Sequence, residues 1–323
     1  MSSDRDLLLE WVEHGQLPPG HLDAALRHSG VHPTPRQWVR FLDQLLLWSS
    51  VVLFAAAVVF FFAYNWEALG RYAKFALVEV PLIAAIAGAW KWGPERAAGK
   101  AALLLAAFLV GALLALVGQT YQTGADTFEL FAAWALAILP WVLVGRMPAL
   151  WLFWLLLVNV AITLYWQTFR GLLWIAFSDE NMFWAAFALN TAALALWEGL
   201  ALKLQWLNER WAIRFVAAAS GTLVTILALM AIFESRRHGL AGLLAWCAWM
   251  AAAYAIYRGR IFDLFVLASG VLSAVVVLTS FFVENLMKHG DNAGSFLFIG
   301  LVIIGLSGAG AWWLRSVAAE RQS

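Results

Sequence analysis

The sequence predicts an all-α protein, a polytopic transmembrane helix bundle of about ten spans with a small N-terminal helical segment. Of the 323 residues, 63% are hydrophobic and 13% are charged, whereas soluble domains have about 45–50% apolar and roughly 25% charged residues. Twenty of the residues are Trp, which concentrates at membrane–water interfaces. The apolar residues form long runs that cover roughly 30 Å of hydrocarbon at about 1.5 Å per helical residue.

The first 43 residues are polar enough to lie outside the bilayer. Apolar residues repeat there at helical spacing from Leu7 to Val12, and Pro18-Pro19-Gly20 then breaks the chain before a second short helix. A third helix begins near Pro35 and runs into the first span. We therefore predict three domains, which are a cytoplasmic helical hairpin with its lead-in helix at 1–43, a transmembrane bundle at 44–315 and a short cytoplasmic tail at 316–323.

Ten apolar runs define the spans. We place them at 45–64, 72–90, 101–118, 129–145, 148–165, 182–198, 212–233, 239–257, 261–283 and 295–314. The fourth and fifth spans are almost contiguous, so they must form a tight hairpin. The run at 171–178 is too short to cross, and we predict that it is interfacial or re-entrant.

The distribution of Lys and Arg predicts the orientation. With the N-terminus in the cytoplasm, fifteen of the 21 basic residues lie in or beside cytoplasmic segments and six lie outside. This is the positive-inside bias of inner-membrane proteins. We therefore expect a multi-pass protein of a bacterial-type inner membrane with both termini cytoplasmic.

The outer connection between the third and fourth spans is unusually polar. It reads Gly118-Gln119-Thr120-Tyr121-Gln122-Thr123-Gly124-Ala125-Asp126 and contains no Lys or Arg. One interpretation is structural, with Asp126 or Thr127 as the N-cap of the fourth span and Glu129 in its first turn. The other is a polar binding patch that faces the outside.

Glu79, Asn159 and Asn190 fall inside predicted spans, where a polar side chain needs a physical reason. Glu79 lies in the second span, two residues before Pro81, and an ionised carboxylate there costs roughly 2.5–3.5 kcal/mol. It is either a proton- or cation-binding group or a neutral side chain bonded to a neighbouring helix. For Asn159 and Asn190 we predict interhelical hydrogen bonds.

The polar connection resembles the signature of the domain-of-unknown-function 2157 family of bacterial membrane proteins. The resemblance covers roughly residues 5–145 and includes the short N-terminal helices. It implies a polytopic topology but no reaction, and it suggests a characteristic set of binding residues. These are Asn65, Trp66, Gln119, Tyr121, Gln122 and Asp126, to which we add Glu79 as a further candidate.

Several function classes remain open. The first is a transporter or small-molecule binder that uses Glu79 and the polar loop, and the second is a structural or regulatory subunit that binds a protein partner through its N-terminal hairpin. A membrane enzyme with Asp126 and Glu129 as acids is the least favoured. The net charge of +1 offers no basic surface for nucleic acid. We predict no metal and no cofactor, because no metal-binding or nucleotide-binding motif is present; the lipid bilayer is the one certain partner of such a chain.

Overall fold

The computed structural model describes residues 4–30, 34–65, 69–169, 178–233, 239–287 and 293–321. These residues form twelve α-helices with short turns between them and no strand. The helices are α1 (Asp4–Glu13), α2 (Leu22–His28), α3 (Pro35–Asn65), α4 (Arg71–Trp92), α5 (Ala97–Tyr121), α6 (Thr127–Gly145), α7 (Pro148–Phe169), α8 (Asp179–Ala201), α9 (Arg210–Phe233), α10 (Gly239–Tyr254), α11 (Leu264–Met287) and α12 (Ala293–Glu320).

Ten of these helices, α3 to α12, are long and apolar enough to cross a membrane. The predicted all-α fold with about ten spans is therefore confirmed for the described part of the chain. The predicted interfacial run at 171–178 lies almost wholly outside the described residues. Helix α3 is continuous from Pro35 to Asn65, so the lead-in helix and the first span are one element. The predicted domain division between residues 43 and 44 falls inside it and stays a prediction about where the membrane begins.

The helices belong to two compact units, residues 1–116 and 117–323. In the first unit α1 and α2 pack against each other, and Leu8 is buried. The turn between α4 and α5 is close-packed, because the backbone at Gly93 directly faces Gly99. A side chain at position 99 would therefore not fit.

The second unit is built around α9, which packs against α7, α8, α10 and α11. Ile213, Val216 and Val224 on α9 are at most 1% exposed and form the centre of its apolar core. Helix α10 approaches α9 closely at Gly242, where an added Cβ would lie 2.5 Å from the carbonyl oxygen of Leu227. Small residues at helix contacts are the usual means of close packing in membranes, where apolar burial alone does not drive association.

The predicted tight hairpin of the fourth and fifth spans is also present. Helix α6 ends at Gly145 and α7 begins at Pro148, with Arg146 in the left-handed region between them (φ 43°). The indole Nε1–H of Trp154 on α7 donates to the carbonyl oxygen of Ala135 on α6 at 3.1 Å. The two helices are thus antiparallel neighbours.

Candidate functional site

The polar loop predicted as a binding patch is shorter than expected. Helix α5 continues to Tyr121, so Gln119 and Tyr121 belong to its last turn and only residues 122–126 connect it to α6. Gln122 has a left-handed backbone (φ 45°), a conformation that costs a non-glycine residue roughly 1–2 kcal/mol. Gln119, Tyr121, Gln122 and Asp126 are all exposed.

Asp126 occupies the predicted N-cap position of α6. Its backbone is extended (φ −66°, ψ 152°), and Glu129 lies in the first turn. The amide N–H of Glu129 donates to the carbonyl oxygen of Asp126 at 3.0 Å, whereas the Asp126 side chain accepts no capping hydrogen bond. Asp126 is therefore the N-cap residue of α6 by position and backbone geometry, without the side-chain hydrogen bond that usually stabilises an N-cap.

The remaining predicted binding residues lie in the first unit. Asn65 is the last residue of α3, and Trp66 lies outside the described residues. Glu79 is exposed on α4, a helix that runs through Pro81 to Trp92 without interruption. A binding role for these three residues stays a prediction.

A different polar site lies near the middle of two spans of the second unit. The amide Nδ2 of Asn190 on α8 donates to Oδ1 of Asn159 on α7 at 2.6 Å, and Nδ2 of Asn159 donates to Oδ1 of Asn190 at 3.4 Å. Each Nδ2 also donates at 2.8 Å to a carbonyl oxygen one turn earlier in its own helix, that of Leu155 or Ala186. The predicted interhelical hydrogen bonds are thus confirmed, and the two side chains form one reciprocal amide pair.

The hydrogen bonds that the amide pair already makes determine whether it can donate or accept a hydrogen bond with a ligand. The carbonyl oxygens of Leu155 and Ala186 fix the orientation of the two amides, since only an NH₂ group can donate to them. Both hydrogens of each NH₂ are then used, while each amide oxygen has accepted one hydrogen bond and retains a second lone pair. Asn190 is only 3% exposed, and Asn159 is half-buried. The pair is consequently a hydrogen-bond acceptor.

The amide pair lies at one end of a groove of about 670 Å³, which we call the amide groove. Its walls come from α7 and α9 and are almost entirely apolar; besides Asn159 and Asn190, only Thr222 and the indole of Trp211 bring polar atoms. The groove extends along α7 from Ala149 to Asn159. At about 1.5 Å per residue this is about 15 Å, or half the hydrocarbon thickness.

Further polar contacts near the middle of the spans join α10 to its neighbours. Trp249 Nε1–H donates to Ser220 Oγ on α9 at 3.0 Å, and Trp246 Nε1–H donates to Ser273 Oγ on α11 at 2.9 Å. Each serine hydroxyl also bonds a threonine on a third helix, at 2.7 Å for Thr191 and 2.6 Å for Thr225. Because all these groups are mutually satisfied, they stabilise the bundle and are poor candidates for ligand contacts.

An ion-pair network that the sequence did not predict joins the ends of four helices. Asp263, with a side chain that is 1% exposed, accepts from Arg214 Nε at 3.0 and 3.1 Å and lies 3.4 Å from Arg210 Nε. Arg210 also donates to Glu198 at 3.2 Å, and the buried side chain of Tyr257 lies near the same carboxylate. Tyr257 lies in a π-helical turn, Ala255–Arg260, that ends α10.

The sequence contained one signal for this network. Asp263 immediately precedes α11 and accepts from the backbone N–H of Phe265 at 3.0 Å, as an N-cap does. In the sequence, Arg210 and Arg214 are simply two of the basic residues whose distribution predicts the orientation in the membrane. The two positive charges of Arg210 and Arg214 balance the two negative charges of Asp263 and Glu198. The network therefore holds the helix ends together and is not a site for a charged ligand; we call these four residues the clasp.

Comparison with known proteins yields a family match for the first part of the chain. Among the described residues, no cluster of His, Cys, Asp and Glu is suited to a metal ion. No curated protein and no solved structure matches the chain. A family model described as predicted membrane protein (DUF2157) matches residues 9–151, a region that runs from α1 to the first turn of α7. The resemblance noted in the sequence is thereby confirmed, and over residues 9–151 the chain is similar to the DUF2157 predicted membrane proteins.

Proposed function

We propose that this membrane protein binds a small hydrophobic molecule that carries an uncharged hydrogen-bond donor, and that the amide groove is the binding site. The observation that supports this function is the amide pair of Asn159 and Asn190 at the deep end of the groove. The donor hydrogens of both amides are used within the bundle, whereas each amide oxygen can accept a second hydrogen bond. Half-buried Asn159 borders the open groove, so an entering molecule reaches an amide that accepts a hydrogen bond.

The chemistry of the groove defines the class of ligand. The apolar walls favour a hydrocarbon body, and none of the described residues that line the groove is acidic or basic, so a charged group would be left unpaired there. The two amide oxygens accept but cannot donate, which selects a hydroxyl or an amide N–H over an ether or an ester. A volume of about 670 Å³ is within the usual range of small-molecule sites, about 300–1,000 Å³.

Photoaffinity labelling tests this proposal directly. The probe is a long-chain alcohol with a diazirine in its alkyl chain, and the competitors are the unlabelled alcohol and its methyl ether, which lacks only the donor. We expect labelled peptides from 149–159 and 211–223. The alcohol should compete roughly 2- to 10-fold better than the ether, the value of one net hydrogen bond of about 0.5–1.5 kcal/mol.

The matched variants separate the hydrogen bond from the apolar contacts. Replacing both amides, Asn159→Leu with Asn190→Leu, avoids leaving one buried amide unpaired and should make alcohol and ether equal competitors. Thr168→Val removes a hydroxyl from α7 outside the groove, where it only bonds the carbonyl oxygen of Leu164, and should preserve the preference. Equal competition by alcohol and ether in the wild-type protein would contradict the proposal.

The exposed polar loop supports a second candidate function, binding of a polar molecule from the predicted outer side. Gln119, Tyr121, Gln122 and Asp126 present two amides, a phenol and a carboxylate within eight residues, and all four are exposed. A ligand of this loop should protect residues 119–126 from hydrogen exchange in the intact protein. Protection that persists in the variant Gln119→Ala/Asp126→Ala would contradict this role.

We also propose that both termini are cytoplasmic in a bacterial-type inner membrane. The fifteen-to-six distribution of basic residues supports this orientation. A reporter fused after Ser323 that is active only in the cytoplasm should be active, and the same reporter placed in the loop between Gln122 and Asp126 should be silent. The opposite pattern would reverse the orientation.

A further inference from the structure

A second groove lies on the other side of the contact between α7 and α8, and we call it the indole groove. Its volume is about 310 Å³, and its lining is almost wholly apolar. Indole rings of Trp151, Trp154 and Trp197 form much of its wall. Leu155 lines both grooves but, unlike the amide groove, the indole groove has no polar side chain at its deep end.

The indole groove has the length of a hydrocarbon chain in one leaflet. It follows α8 from Leu189, near the middle of the helix, to Leu200 near its end. Eleven residues at about 1.5 Å each give about 16 Å, and half the hydrocarbon core is about 15 Å. Leu207, which follows the turn after α8, lines the groove at this same end.

Basic side chains flank this interfacial end. Lys203 is exposed in the turn between Leu200 and Leu207, where its backbone N–H donates to the carbonyl oxygen of Leu200. Arg146 is exposed in the turn between α6 and α7, which is at the same end because α7 and α8 are antiparallel across the groove. The nearest carboxylate on α8, Glu198, is paired with Arg210. Glu209, two residues after Leu207, accepts from the indole N–H of Trp211 and adds one negative charge against the two positive charges of Lys203 and Arg146, so the mouth of the groove has a net positive charge.

We propose that the indole groove holds one acyl chain of an anionic phospholipid, with the positive charges of Lys203 and Arg146 attracting the net negative charge of its headgroup. The apolar walls and the length of the groove fit the chain, and the positive mouth fits a headgroup with a net negative charge. Basic pockets at the ends of transmembrane helices are a known means of selecting anionic lipids. This site differs from the amide groove in chemistry, since its ligand is charged and needs no hydrogen-bond donor.

Native mass spectrometry of the detergent-purified full chain tests the proposal with two lipids. Phosphatidylglycerol and phosphatidylcholine of identical chains differ only in the headgroup, and we expect tighter binding of phosphatidylglycerol. Lys203→Gln should weaken binding of phosphatidylglycerol about fivefold, the value of one interfacial charge, and leave phosphatidylcholine unchanged. Ala192→Phe places a ring in the wall of the groove and should weaken both lipids.

Two controls match these variants. Lys91→Gln removes an exposed charge from the end of α4, and Ala195→Phe adds the same ring to an exposed position of α8 that does not line the groove. Both should bind the lipids as the wild type does. Equal affinities for the two lipids in the wild type, or an unchanged preference for phosphatidylglycerol in Lys203→Gln, would overturn the proposal; the latter variant is at the surface and is expected to fold.

Discussion

Replacement of Asp263 should weaken the second unit, because this one side chain makes several contacts at the ends of its helices. It joins the start of α11 to α9 by accepting from Arg214 Nε through both carboxylate oxygens, and it lies 3.4 Å from Arg210 Nε. It also accepts from the backbone N–H of Phe265. The substitution Asp263→Ala removes all of these contacts together, whereas Asp263→Asn keeps an oxygen for the cap and removes the charge.

The expected loss of stability follows from the exposure of the partners. Removing one member of a fully buried ion pair costs about 3–5 kcal/mol, but the side chains of Arg214 and Arg210 are 42% and 26% exposed. Solvent screening therefore reduces each pair to about 0.5–1 kcal/mol. Loss of the helix cap adds about 1 kcal/mol. We expect Asp263→Ala to cost about 2–3 kcal/mol and Asp263→Asn about 1–2 kcal/mol.

Unfolding of the purified protein by SDS in mixed micelles measures these free energies. The control is Glu320→Gln, which breaks the exposed pair between Arg258 and Glu320, whose side chains are 32% and 61% exposed, and should cost at most about 0.5 kcal/mol. If Asp263→Ala cost no more than this control, the clasp would not hold the helix ends together. If Asp263→Asn cost as much as Asp263→Ala, the cap to Phe265 would contribute nothing.

Three further substitutions test the packing and the backbone by the same unfolding assay. Trp249→Phe removes the hydrogen bond to Ser220 and should cost roughly 0.6 kcal/mol, and Ser220→Ala should then cost less in the Trp249→Phe background than alone. Gly242→Ala brings a methyl group against the carbonyl oxygen of Leu227 and should cost about 1–3 kcal/mol, whereas Gly300→Ala, at an open position, should be neutral. Gln122→Gly places glycine at a left-handed backbone position and should stabilise the protein by about 1 kcal/mol. A gain of the same size in Gln122→Ala would show that backbone conformation is not the cause.

The ten spans could be predicted from the sequence because length and hydropathy are local properties. An apolar run must cross a hydrocarbon layer of fixed thickness as a helix, since no other open structure satisfies its backbone there. The tight hairpin of α6 and α7 follows for the same reason, because Gly145 and Pro148 leave no room for a longer connection. The start of α6 could be predicted only to within a residue or two, since both Asp126 and Thr127 are favourable N-cap residues.

The meeting of polar side chains was decided by tertiary structure alone. Asn159 and Asn190 are 31 residues apart and Arg214 and Asp263 are 49 apart, and both pairs depend on which helices become neighbours and on how each is rotated. The periodicity of an almost uniformly apolar helix does not define its buried face, because lipid and protein interior accept the same side chains. The sequence by itself therefore determined the ten described helices that are long and apolar enough to cross a membrane, whereas the packing of α7, α8 and α9 determined where the two grooves lie.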